Sequence, residues 1–129
     1  MDKDTLLLRQ VHPSWMVGDT ISQQVFSSQT FKPTPKDQSM LSMYNGEMFD
    51  AYAAFDHFSR QGHPSVGVVA VTPAECDTIP VPVIEDNQPF EGHCSLDYRA
   101  LSGNGIKKAA STLKAFAQTR GWLYKQDNQ

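Results

Sequence analysis

The strongest hydrophobic signal is the run at residues 65–72 (SVGVVAVT), where β-branched and small residues follow one another almost without interruption. Such a run predicts a strand buried on both faces. Residues 5–11 (TLLLRQV) predict a second strand, which ends near His12 because Pro13 forces the residue before it into an extended conformation. Residues 21–26, with Ile21 and Val25 at an even spacing, predict a further strand after the turn signal Gly18-Asp19. Shorter strands are predicted at residues 40–44 (MLSMY), 93–98 (HCSLDY) and 122–124 (WLY). An edge strand is predicted at residues 81–84, where prolines are tolerated.

Two segments switch to a period of 3.6. In residues 48–61 the apolar stripe is Met48, Ala51, Tyr52, Phe55 and Phe58, with Asp50, Ala53, His57 and Arg60 opposite. Gly62 and Pro64 stop that helix. In residues 106–120 the stripe is Ile106, Ala109, Ala110, Leu113, Phe116 and Ala117, preceded by a flexible turn at residues 101–105 and closed by Gly121. Thr72-Pro73-Ala74-Glu75 predicts a third, short helix, with Thr72 as N-cap, Pro73 in the first position and Glu75 closing a capping box.

Together these elements predict an α+β fold: a single mixed, mostly antiparallel sheet with two long amphipathic helices and one short helix. No repeat or composition break divides the chain, so its 129 residues form one compact domain, with residues 1–4 and 126–129 expected to fray.

Composition changes this picture in three places. Residues 22–42 are polar, with 11 of 21 positions Ser, Thr or Gln. Pro33 and Pro35 bar regular structure there, so the segment is a loop held on the folded scaffold. Charge is uneven: residues 1–98 hold five Lys or Arg against 13 Asp or Glu, while residues 99–129 hold six against Asp127 alone. Lys107, Lys108 and Lys114 lack interleaved aromatics, and the chain carries a net charge of −3, which disfavours nucleic acid as the partner. Cys76 and Cys94 read as small buried side chains in a reducing compartment. The N-terminus has no apolar run of signal-peptide or membrane-span length, and the reading is a soluble cytoplasmic protein with no membrane contact.

Candidate chemistry is sparse. His12, His57, His63 and His93 show no zinc-type spacing with the cysteines, so no metal is expected. No nucleophile elbow or phosphate-binding glycine motif is present, and no cofactor is implied. The polar loop offers the remaining site: Arg9 and His12 at the end of the first strand, hydroxyls on Ser27 and Ser28, a ring face on Phe31, and charge on Lys32 and Lys36. This arrangement resembles ADP-ribosyl-transferring enzymes, which place an Arg or His on an early strand and a Ser-containing strand next. The likeness covers only these few residues, and it implies a catalytic acid, for which Glu75, Glu85 and Glu91 are the candidates. The leading expectation is a small binding or interaction protein with a protein partner, an accessory of a larger cytoplasmic system. The alternative is a nucleotide-handling enzyme that uses the loop.

Overall fold

The computed structural model describes residues 1–17, 25–33 and 39–126. The expected turn at Gly18-Asp19, the start of the strand at Ile21, Lys36 and the last three residues of the tail lie outside the described residues.

Eight strands follow in chain order: β1 (Leu7–Val11), β2 (Met16–Val17), β3 (Val25–Phe26), β4 (Met40–Asn45), β5 (Gly67–Val71), β6 (Val83–Ile84), β7 (His93–Asp97) and β8 (Tyr124–Lys125). Three α-helices accompany them: α1 (Ala51–Arg60), α2 (Pro73–Asp77) and α3 (Gly103–Arg120). Six strands form one sheet in the order β6-β7-β4-β1-β5-β8, and β2 pairs with β3 in a separate ribbon. Every described pairing is antiparallel, so the sheet lies at the antiparallel end of the expected α+β architecture.

Alternation along the strands sends two apolar sets to opposite faces. Leu7, Val11, Met43, Val69, Val71 and Leu96 join Ala110, Leu113 and Ala117 of α3 in one core. Leu8, Tyr44, Val68 and Ala70 join Ala54 of α1 in the other, flanked by Phe55 and Phe58. The sheet is therefore covered by a long helix on each side, and all five residues of β5 are buried, as the unbroken run at residues 65–72 predicts.

Local signals explain where the helices begin. Thr72 and Glu75 form the predicted capping box, with Thr72 N–H donating to Glu75 Oε1 at 2.9 Å and Glu75 N–H to Thr72 Oγ1 at 3.2 Å. Two boundaries depart from expectation. Ser102 Oγ accepts from Gly105 N–H at 3.1 Å, so α3 starts at Gly103 and the supposed glycine turn is its first turn. Asp50 Oδ1 accepts from Ala53 N–H at 2.7 Å, so α1 starts at Ala51 and Met48 lies in the turn before it.

The inner face of α1 is also rotated from the expected stripe. Ala54 is fully buried, Tyr52 is 57% exposed, and His57, expected on the polar face, turns inward against Tyr44. At the chain start, where residues 1–4 are exposed, the Met1 amine meets Glu85 at 3.5 Å and Lys3 meets Asp77 at 2.5 Å.

Candidate functional site

β1 follows β5 along five residue pairs but meets β4 only at Leu7↔Asn45 and Leu8↔Tyr44 among the described residues. Arg9 stands beyond the last of those pairs. Its Nε donates to Thr30 O at 2.7 Å, its Nη1 donates to Ser42 O at 2.9 Å, and the guanidinium lies 5.4 Å from the Trp15 ring centre. The second bond satisfies a β4 carbonyl beyond the last described pair with β1, and the first ties β1 to the 3-10 turn Ser28–Phe31.

The described residues of the loop site expected around Arg9 take up separate settings. His12 caps the 3-10 turn Pro13–Trp15, its Nδ1 accepting from Ser14 N–H at 3.0 Å. Ser27 caps a second 3-10 turn, Ser28–Phe31, so neither Ser27 nor Ser28 belongs to a strand as the ADP-ribosyl-transferase likeness requires. Phe31 is fully buried in the α3-side core, packed edge-on to Phe26 at 6.4 Å, and offers no ring face to a ligand. Lys32 is the half-buried C-cap of the same turn. The expected acids lie elsewhere: Glu75 is engaged by Arg120 at 2.9 Å, Glu85 by the chain amine, and Glu91 is exposed. Among the described residues of that set, Arg9 and His12 share the wall of a hollow.

That hollow belongs to a different site, on the α1 side of the sheet. A cleft of about 190 Å³ has an aromatic wall of Tyr44, Phe58 and Phe90 and polar groups from Arg9, His63 and His93. A second hollow of about 170 Å³ shares Arg9, Gln10, Phe58 and His63 with it and adds His12, Trp15 and Pro64. A third and more open depression of about 500 Å³ shares His63 and Pro64 with the second and continues past Phe55 and Val66 to Gln126. The three lie in series, joined at His63.

The aromatic wall is rigidly braced. Tyr44 Oη lies 2.8 Å from His57 Nδ1, and Gln61 Nε2 lies 2.9 Å from the same nitrogen. The direction of these two bonds follows the His57 tautomer. Burial pushes the Tyr44 phenol up to about 12, so the hydroxyl keeps its proton at neutral pH. Phe90 packs on this pair, 4.4 Å from the His57 ring and 5.0 Å from Tyr44.

Phe90 is delivered by the loop before β7. Asn87 holds that loop, its N–H donating to His93 O at 3.0 Å and its Oδ1 accepting from Gly92 N–H at 2.8 Å. Gly92 has φ +95°, and a Cβ there would stand 2.7 Å from the Phe49 ring, so glycine is required. The Gln88–Pro89 peptide is cis.

At the end of the cleft, His93 Nδ1 lies 2.6 Å from Asp86 Oδ1, and Ser95 Oγ donates to Asp86 Oδ2 at 2.6 Å. Partial burial pushes the Asp86 carboxyl up, but the hydrogen bonds from His93 and Ser95 outweigh it and hold the group below its ordinary range. Gln10 is spent at both ends, donating to Ala54 O at 2.9 Å and accepting from Ser65 Oγ at 2.7 Å. Among the described residues, no group of three or more His, Cys, Asp or Glu is placed to hold a metal.

Tyr44, His57, Asp86, Phe90 and His93 were not singled out together by sequence. The available signal was weak: His93 and Ser95 share one face of a strand, and Asp86 lies seven residues before the histidine across a loop. No family model matches the chain, and neither a curated protein nor a solved structure matches it.

Proposed function

We propose that this is an interaction protein that receives an extended segment of a partner protein along the groove on the α1 side of its sheet. The observation that carries this reading is the series of three hollows sharing walls at His63, which makes an elongated channel rather than one compact chamber. Pockets for whole small-molecule ligands run to roughly 300–1,000 Å³. The first two hollows, at about 190 and 170 Å³, suit single side chains. Aromatic anchors in a concave wall are also where binding energy concentrates at protein interfaces. Its two buried, unbridged cysteines fit a reducing, cytoplasmic setting for such a role.

Of the residues that the nucleotide-handling alternative would use, Arg9 and His12 line this groove, while Ser27, Ser28, Phe31 and Lys32 are not among its lining residues. Selection from a random peptide library tests the proposal. The wild type should enrich a shared motif, and Phe90→Ala should weaken binding of the enriched peptides at least tenfold. Tyr52→Ala, on the outer face of α1, should leave it unchanged. Failure to enrich any motif, or peptides that bind Phe90→Ala as well as wild type, would sink the reading.

A further inference from the structure

Several polar groups around the first hollow are committed to one another. The Tyr44 hydroxyl and Gln61 Nε2 engage His57, and both ends of Gln10 are used. Two imidazoles that line it keep open nitrogens among the described residues: the exposed His63, which makes a ring contact with Phe58, and the buried His93, whose Nδ1 is held by Asp86 while Nε2 has no hydrogen-bond partner. A carboxylate accepts from Nδ1–H, so the neutral ring carries its proton on that side and presents Nε2 to the cleft as a bare acceptor. An unmet acceptor inside an aromatic wall selects for a ligand that brings a donor, because an apolar group would leave it desolvated and unpaired.

Size is compatible with an aromatic side chain. A dry cavity of about 150 Å³ holds one benzene ring. The partly open hollow of about 190 Å³ therefore has room for a six-membered ring with one small substituent. Tyr44, Phe58 and Phe90 provide the faces and edges against which such a ring packs.

We infer that the first hollow reads a tyrosine side chain of the partner, its phenol donating to His93 Nε2 while its ring packs against Tyr44, Phe58 and Phe90, with the flanking residues running along the other two hollows. This rests on the groove being the partner site, as proposed above. It goes further by naming the anchor residue and the atom that recognises it. Asp86 acts as a positioning residue, setting which ring nitrogen faces the phenol. In Asp86→Asn, Ser95 Oγ continues to donate to the side-chain oxygen, which turns the amide NH₂ toward His93 Nδ1. The proton then moves to Nε2, and the acceptor becomes a donor.

The probes are p-cresol, toluene and 4-methylanisole, together with groove-binding peptides carrying Tyr or Phe at the anchor position, measured by NMR titration against wild type, Asp86→Asn and His93→Leu. Wild type should prefer the tyrosine peptide and p-cresol over their hydrogen-bearing counterparts by about tenfold, the worth of one net hydrogen bond. In His93→Leu the preference should fall to within about twofold while the phenylalanine peptide still binds, which separates a lost hydrogen bond from a lost fold. In Asp86→Asn the preference should persist, because the phenol oxygen accepts from Nε2–H, but 4-methylanisole, which only accepts, should now bind as well as p-cresol, whereas wild type should favour p-cresol. That comparison decides the matter if His93→Leu does not fold. Equal binding of Tyr and Phe peptides to wild type, a preference that survives His93→Leu, or no change in the p-cresol to 4-methylanisole ratio in Asp86→Asn overturns the inference while leaving the groove reading intact. Binding of p-cresol by a wild type that binds no tyrosine peptide overturns the assignment to a protein partner. Binding of no peptide, as in the library selection, sinks the groove reading itself.

Discussion

Asp86 shows how one side chain can serve stability and recognition together. Its carboxylate accepts from both His93 and Ser95, and these bonds hold it below the ordinary carboxylate range despite partial burial. A carboxyl whose folded value is depressed adds stability above its unfolded value of about 3.9 and loses it as pH falls through the folded value. Asp86→Asn removes that titration. The stability gap between wild type and Asp86→Asn should therefore be constant above about pH 5 and shrink steadily below about pH 3.9, as read from urea midpoints across an acid series. A gap that does not change with pH would show that the Asp86 bonds do not depend on its charge. Phe31 makes the opposite point about single residues. Composition placed an aromatic in a polar loop and suggested a stacking face, whereas the ring is one of the fully buried side chains of the α3-side core. Its carbonyl is held by the Tyr98 hydroxyl at 2.7 Å, which fixes the turn above that core.

At the scale of elements, short-range signals were legible and long-range ones were not. The capping box at Thr72–Glu75 could be read directly because all its parts lie within four residues. The buried strand β5 could be read because its composition alone demands cover on both faces. The start of α3 was missed because Gly-Asn-Gly resembles a turn, whereas the deciding group is the Ser102 hydroxyl. The face of α1 was misjudged because large apolar residues outweigh Ala54 in any stripe, yet a small residue is what lets the helix approach the sheet. The same reasoning separates two glycines. Gly103 has open space around a built Cβ and an ordinary helical backbone. Gly103→Ala should raise stability by about 0.5 kcal/mol by narrowing the unfolded ensemble. Gly92→Ala should cost about 1–3 kcal/mol, because φ is positive and Phe49 is in the way. Phe49 packs 4.9 Å from Tyr44, so Gly92→Ala should also weaken groove binding, whereas Gly103→Ala should not. Thermal melts and one peptide titration check both.

The whole molecule explains why the groove was invisible in sequence. Its walls come from β1, β4, the end of α1, the turn at His63-Pro64 and the loop before β7, which approach one another only once the sheet is ordered. The α+β class needed only the order and period of the segments, whereas the site needed the strand order. That same order, with α1 and α3 on opposite faces of one sheet, gives the two cores a shared wall in β1, β4 and β5. Neither core can open without exposing strands that the other buries. Loss of packing on one face should therefore be felt equally on the other. Leu113→Ala, at a fully buried α3 position, should cost about 2–5 kcal/mol. Trp122 packs on the α3-side core, so its fluorescence, read in a Trp15→Phe background because Trp15 also lines the groove, reports that face, and the Ala54 methyl resonance reports the α1 face. In urea both signals should share one midpoint in that background and move together when Leu113→Ala is added. A midpoint for Ala54 that stays in place while the tryptophan transition shifts would mean that the α1 side, and the groove on it, folds independently of α3.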